Sequence, residues 1–278
     1  MKTELDLLSL PDAPRVVLNN APLVLAVCQV RFSSMLSVTD PKSLAAFQRA
    51  IQSKYLVATP VQEVELLVGV GPNDLGIRGE QRRSPQWQFT DQDDNWKIVL
   101  SQDFLSLETR NYVHFDNFLE RLQEALDALT QHIQPTIGTR LGLRYINEIR
   151  SGDLHEMDWS DVIRPDLLGP LTDKGLVGNT SQVVAVQQLL LRYPNDLGIN
   201  IHQGLVPSGT TVRLRPKEES PKQAFYLLDF DIFREFSLSQ ALEMDSKTIC
   251  QYIATYHKMI YRLFRWSVTE KYISTIEE

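Results

Sequence analysis

The sequence predicts a mixed α+β fold, with a mostly antiparallel sheet and helices packed on one side of it. Short segments with the two-residue period of strands alternate with longer segments that have the 3.6-residue period of amphipathic helices. The order β-α-β-β-β-α occurs twice in outline. Apolar residues make up 43% of the 278 positions, which is ample for a buried core.

We predict one integrated domain built from three parts. An extended N-terminal arm covers residues 1–22, where three prolines precede the first strand. The first α+β half covers residues 23–135. The second α+β half covers residues 136–278 and ends in a long helix. The halves show no repeat of residues, so their similarity lies only in the order of their elements.

In the first half, Leu23–Phe32 is a strand that is apolar on both faces at its start and half-exposed later. Asp40 and Pro41 are typical of a helix start, because the carboxylate caps backbone N–H groups and proline loses nothing at the first helical position. His114 with Asp116 indicates a second helix start, where capping is favoured over metal binding. The other predicted elements are a strand at 61–70, a loop at 71–85, a hairpin of strands 86–90 and 96–109, and a helix at 115–133.

In the second half, residues 136–150 form a long strand. A short helix follows at 159–168, and Pro165 bends or ends it. The remaining predicted elements are strands at 182–193, 197–205 and 224–236 and a long closing helix at 246–273.

The charge balance argues against nucleic acid and membrane partners. The formal net charge is −7, and an acidic surface repels DNA, RNA and anionic lipid. No apolar run approaches the roughly 18 residues that span a bilayer, and the N-terminus lacks the basic region of a signal peptide. Cys28 and Cys250 lie in apolar segments, as buried small hydrophobic residues do. We therefore expect no disulfide and a cytoplasmic location.

Motifs that carry catalysis are missing from the sequence. It has no glycine-rich phosphate loop with its lysine, no G-x-S-x-G, no H-E-x-x-H and no C-x-x-C. Its five histidines are scattered, without a pair at metal-ligand spacing. We therefore expect no cofactor, and we favour a non-catalytic protein over an enzyme.

Four charged strand residues are candidates for ligand binding. Arg140 and Arg144 share one face of the 136–150 strand, and Asp229 and Asp231 share one face of the 224–236 strand. Arginine grips phosphate or carboxylate through two hydrogen bonds, and paired aspartates can hold a metal. The alternative is that these arginines and aspartates pair with each other between neighbouring strands.

The closing helix carries more aromatic surface than one stripe can bury. Tyrosine and tryptophan are frequent anchors of protein interfaces, so this helix is the candidate partner-binding element. The alternative is a helix buried on all sides. A polar, proline-containing segment at 206–223 is a flexible loop or a docking arm. The candidate partner-binding residues are Tyr252, Tyr256, Tyr261, Phe264 and Trp266.

The motif R-L-G-L-R-Y-I-N at residues 140–147 resembles the central strand of a sporadically distributed bacterial protein family of about this length, to which no activity is assigned. Weaker matches are V-R-F at 30–32, a D-x-D-x-F strand at 229–233 and an S-x-T-E-K element at 267–271. Together the matches span nearly the whole chain. The patchy distribution of the family implies an accessory gene, of the kind carried with mobile elements, toxin–antitoxin pairs or phage-defence systems.

Three functions remain open, and we favour the first. It is a non-catalytic subunit that binds another protein or a second copy of itself, since catalytic motifs are missing and the aromatic helix supplies contact surface. The second is a sensor that holds a small molecule or nucleotide between the two halves, by analogy of fold alone. The third is a metal-dependent enzyme, which would need Asp229, Asp231 and a histidine to converge on one ion.

Overall fold

The computed structural model describes residues 7–12, 14, 16, 18, 20–66, 81–154, 157–178, 180, 183–209 and 223–277. Within these residues the chain forms nine strands and seven helices. The strands are β1 (Leu23–Phe32), β2 (Val57–Leu66), β3 (Gln81–Thr90), β4 (Trp96–Leu100), β5 (Phe104–Thr109), β6 (Gly138–Arg150), β7 (Ala185–Arg192), β8 (Leu197–Val206) and β9 (Phe225–Glu235). The helices are α1 (Pro41–Ile51), α2 (Phe115–His132), α3 (Trp159–Val162), α4 (Pro165–Leu168), α5 (Lys174–Val177), α6 (Ser246–Ser267) and α7 (Glu270–Glu277). None of these described helices is both long enough and apolar enough to cross a bilayer.

The strands form one open antiparallel sheet in the order β2-β3-β4-β5-β1-β6-β9-β8-β7. This confirms the predicted mixed α+β class. The outer strands of the order are β2 and β7. Pro60 lies in β2, where an outer strand tolerates a residue without a backbone N–H.

The chain divides into two compact units. The β7–β9 unit comprises Met1–Ala26, Gly142–Glu235 and Gln251–Glu278, and the β2–β5 unit comprises Val27–Leu141 and Phe236–Cys250. Both β1 and β6 supply residues to each unit. The boundaries expected at residues 22 and 135 stay predictions.

In the β2–β5 unit, the two long helices begin where the sequence predicts. The Asp40 carboxylate accepts a hydrogen bond from the N–H of Ser43 at 2.9 Å, and Pro41 is the first residue of α1. His114 caps α2, because its Nδ1 accepts a hydrogen bond from the N–H of Asn117 at 3.1 Å. The capping interpretation of His114 is therefore confirmed.

Three predicted boundaries in this unit are wrong. One is the start of the strand expected at 61–70, because β2 begins at Val57. Residues 96–109 form the hairpin β4–β5 instead of one strand, because the N–H of Ser101 donates to the carbonyl of Phe104 at 2.8 Å and closes a tight turn. The apolar alternation continues on both sides of this short polar turn, which hides the break in the sequence. Strand β3 begins at Gln81, so residues 81–85 of the predicted loop pair with β2 instead. Residues 67–80 lie outside the described part of the chain.

In the β7–β9 unit, two predicted helices are each divided. Pro165 separates α3 from α4, as its missing N–H and its ring require. The closing helix is interrupted after Ser267, where the N–H of Thr269 donates to the carbonyl of Val162 at 2.9 Å. The chain then resumes as α7 at Glu270.

Helices α3 and α6 contact one face of β9. The Trp159 ring of α3 lies 5.8 Å from the Tyr226 ring, between centroids. The guanidinium of Arg234 lies 5.6 Å from the ring centroid of Tyr252 on α6. Tyr226 and Arg234 share a face of β9, because they are eight positions apart and side chains on a strand alternate between its two faces. The opposite face of β9 carries Asp229 and Asp231.

Candidate functional site

A row of polar side chains crosses β7, β8 and β9 on the face opposite the one that carries Tyr226 and Arg234. Gln188 lies opposite His202, and His202 lies opposite Asp229. Directly opposed residues of antiparallel strands project on the same side, so these three side chains form one line. Asn200 and Asp231 form the next line, two residues along. We call Gln188, Asn200, His202, Asp229 and Asp231 the polar row.

Arg144 of β6 joins the polar row through Asp229. Its Nε donates to Oδ1 at 2.8 Å and its Nη2 donates to Oδ2 at 2.7 Å. His202 approaches the same carboxylate, with Nδ1 at 3.3 Å from Oδ2. The Asp229 side chain is only 4% exposed, whereas those of Arg144 and His202 are 43% and 30% exposed. A buried carboxylate therefore holds two side chains that reach solvent.

This geometry determines which chemistry Arg144 can perform. Its Nε and Nη2 each donate a hydrogen bond to Asp229, so this carboxylate occupies the side-on edge of the guanidinium. The hydrogen bonds with Asp229 raise the pKa of Arg144, so the guanidinium stays charged. Arg144 and Asp229 thus form the structural ion pair that the sequence left as an alternative.

The other two candidate ligand residues are placed differently. Asp231 lies on the same face of β9 as Asp229 and interacts electrostatically with Arg144. Arg140 is half-buried and belongs to the β2–β5 unit, so we do not count it with the polar row. The described residues contain no group of three His, Cys, Asp or Glu side chains that could hold a metal ion.

Two of the candidate partner-binding residues lie in the core. Tyr256 is fully buried and Phe264 is 6% exposed. The prediction that both contact a partner needs correction, because a docked protein reaches only surface side chains. Both lie on the buried side of helix α6, together with Ile253, Ile260 and Leu263.

The remaining three aromatic residues of α6 are half-buried by contacts within the chain. The hydroxyl of Tyr261 donates to the carbonyl of Pro14 at 2.8 Å. The Arg164 guanidinium covers the Trp266 ring at 4.4 Å from its centroid. Tyr252 packs on Tyr256, with ring centroids 6.3 Å apart. The docking segment expected at 206–223 falls mostly outside the described residues.

Among the described residues of the β7–β9 unit, three of the five exposed large hydrophobic residues lie on β7. Its side chains are exposed along almost the whole strand. Val186 and Leu190 project on the face of the polar row, and Leu189 projects on the other, with 55%, 49% and 52% of each residue exposed. The sequence predicts this strand but not its place at the end of the sheet. The sequence feature that could have indicated this exposure is a strand with apolar residues on both faces and no charged residue before Arg192.

No protein-family model matches the chain, and no curated protein sequence matches it. The family resemblance of residues 140–147 stays a prediction.

Proposed function

We propose that the protein is a non-catalytic interaction subunit whose edge strand β7 docks an extended segment of another protein chain. The observation that carries the proposal is the exposure of Val186, Leu189 and Leu190 on both faces of an outer strand. An edge strand presents backbone N–H and C=O groups that another strand can pair with. A docked strand gains these main-chain hydrogen bonds and buries the apolar side chains as well.

The composition of β7 supports a docking role. Proteins that keep an edge strand free protect it with lysine, proline, a bulge or a covering segment. Residues 185–191 contain no charged residue and no proline, and Arg192 stands only at the end of the strand. Apolar residues on both faces are typical of strands that are covered on both faces. A docked segment would cover part of this exposed apolar surface.

The proposal is tested with a paired lysine substitution on β7. Native mass spectrometry of the tagged protein, isolated gently from its own host, should show a bound protein chain. We expect Val186→Lys/Leu190→Lys to lose this chain, because docking would have to desolvate two ammonium groups. Leu176→Lys is the matched control, since Leu176 lies in α5 of the same unit and is 63% exposed. Retention of the partner by the β7 variant would contradict the proposal.

The polar row favours a second candidate function, the binding of a small molecule. Its basis is His202, a half-exposed imidazole held against the buried carboxylate of Asp229. A metabolite or nucleotide that raises the Tm of the protein, but not that of His202→Ala, would support this function. A panel without any such compound would count against it.

A further inference from the structure

We propose that the segment docked on β7 is the β7 strand of a second copy of this chain. This inference rests on the docking function proposed above and names its occupant. The pairs β7–β8 and β8–β9 are both antiparallel. A twofold axis perpendicular to the sheet, placed beside β7, adds a further antiparallel pair and continues the sheet from one copy into the other.

The twofold axis restricts how two β7 strands can pair. Residues on one face must meet residues on the same face, so one residue of β7 lies opposite its own copy. With Gln188 on the axis, Val186 of each copy faces Leu190 of the other. On the opposite face, Leu189 faces Gln187 and Leu191 faces Ala185. All of residues 185–191 are then paired, and apolar side chains meet on both faces.

The register with Leu189 on the axis is less favourable than the one with Gln188 there. With Leu189 on the axis, Leu190 and Leu191 would each face a glutamine, and Arg192 would face Val186 within the paired segment. Apolar cross-strand pairs stabilise a sheet, whereas an arginine in such a pair needs its charge kept in water. Of these two registers, the side-chain pattern of β7 favours the one with Gln188 as the central residue.

Charge also favours a second copy at this position. The chain carries a net charge of −7, so two copies repel each other over most of their surface. Strand β7 is neutral from 185 to 191, and Arg192 is paired with Glu235 at 3.2 Å within its own chain. Two acidic copies can thus approach through β7 without opposing like charges, and each copy supplies a neutral strand of equal length.

The first test is the oligomeric state of the purified chain. We expect light scattering after size exclusion to show a dimer that dissociates on dilution. Val186→Lys/Leu190→Lys should raise the dimer dissociation constant by about tenfold or more, because each new lysine faces another across the axis. Leu176→Lys should leave the dissociation constant unchanged. Circular dichroism checks that the variants stay folded, as expected for substitutions at exposed positions.

The second test is a cysteine crosslink that reads the register. Under mild oxidation, Gln188→Cys should form a disulfide-linked dimer, because the central residue faces its own copy at a bridgeable distance. Leu189→Cys is the matched control, since its copy lies two residues further along the partner strand, beyond disulfide reach. The natural Cys28 and Cys250 do not interfere, because they are only 1% and 8% exposed.

The outcomes separate this inference from the docking function itself. A chain that stays monomeric at every concentration, or a dimer that the β7 lysines leave intact, would overturn the self-pairing. A crosslink at Leu189 instead of Gln188 would overturn the proposed register. If the monomeric chain still loses a host partner on lysine substitution, only the self-pairing falls and the docking function of β7 stands. If the lysines change neither property, both fall.

Discussion

The guanidinium of Arg144 on β6 donates two hydrogen bonds, of 2.8 Å and 2.7 Å, to the carboxylate of Asp229 on β9. The partners differ in solvent access, because 43% of the Arg144 side chain is exposed but only 4% of the Asp229 side chain. Removing a partner costs most when the charge left behind is buried. Removing Arg144 should therefore cost more stability than removing the charge of Asp229.

We expect Arg144→Met to destabilise the protein more than Asp229→Asn does. Arg144→Met leaves the buried carboxylate without its guanidinium and should lower the free energy of unfolding by about 2–4 kcal/mol. Asp229→Asn leaves a guanidinium that water can reach, and should cost about 1 kcal/mol. Urea denaturation followed by circular dichroism measures both values. Equal losses, or the reverse order, would show that the burial difference does not govern the pair.

Arg192→Met provides the matched control for this prediction. Arg192 pairs with Glu235 at 3.2 Å, but the side chains are 51% and 55% exposed. An exposed ion pair contributes roughly 0–1 kcal/mol, so this substitution should change stability little. Only the pair with the buried carboxylate is expected to show a large effect.

Local patterns predicted much of the fold, since the helix starts at Asp40 and His114 depend on neighbouring residues alone. The shared face of Asp229 and Asp231 also follows from the two-residue period of a strand. The register between strands is not local. The connection between β8 and β9 is too long to fix a hairpin register, so no sequence pattern placed His202 opposite Asp229.

The edge position of β7 was unpredictable for a related reason. Its apolar residues on both faces are typical of an interior strand, and only the order of the whole sheet places it last. The aromatic residues of α6 show the opposite case, in which an interface-like composition belongs to buried residues. Tyr256 and Phe264 have the composition of an interface, but the packing of their unit buries them.

The two cysteines should react only after unfolding. Cys28 is 1% exposed, and burial raises the pKa of its thiol. Burial, together with the charges of Asp127 and Asp245, raises the pKa of Cys250 to about 11. Thiolate is the reactive form, so a disulfide reagent at pH 8 should label the native protein slowly and label both thiols at once in guanidinium. Rapid labelling of the native protein would mean that one of these sites opens.

Capping carboxylates should contribute to acid sensitivity. Hydrogen bonds from Ser43 lower the pKa of Asp40, and those from Thr248 lower the pKa of Asp245. A carboxyl whose pKa is lower in the folded state stabilises it above the unfolded pKa, about 4, and this contribution is lost as the pH falls through the folded pKa. Asp40→Asn/Asp245→Asn should therefore lose less Tm than the natural protein on acidification.

The effect of these substitutions at neutral pH should be small, because asparagine caps helices as well as aspartate does. Asp93→Asn is the matched control, since Asp93 lies in the exposed turn between β3 and β4 and caps no helix. Calorimetry at a series of pH values measures the Tm of each protein. The same acid response in the double variant and the natural protein would exclude a contribution from the two caps.

The attachment of β7 should depend on the absence of a side chain at Gly204. This residue of β8 lies opposite Val186 with φ +147°, and a Cβ there would overlap the carbonyl oxygen of Ala185. That oxygen belongs to the backbone, so relief of the overlap must displace β7 itself. Gly204→Ala should therefore lower the free energy of unfolding by at least about 2 kcal/mol. It should also speed amide hydrogen exchange along residues 185–192.

Gly209→Ala separates this close approach from the effect of the backbone angle. Gly209 also has a positive φ, +79°, but a Cβ there would meet no heavy atom of the described chain within 4 Å. Its substitution should cost only about 1 kcal/mol, from the φ that alanine disfavours, and should leave exchange in β7 unchanged. Hydrogen exchange read by mass spectrometry distinguishes the two variants. If both accelerated exchange in β7 equally, the contact between Gly204 and Ala185 would not be what holds the strand to the sheet.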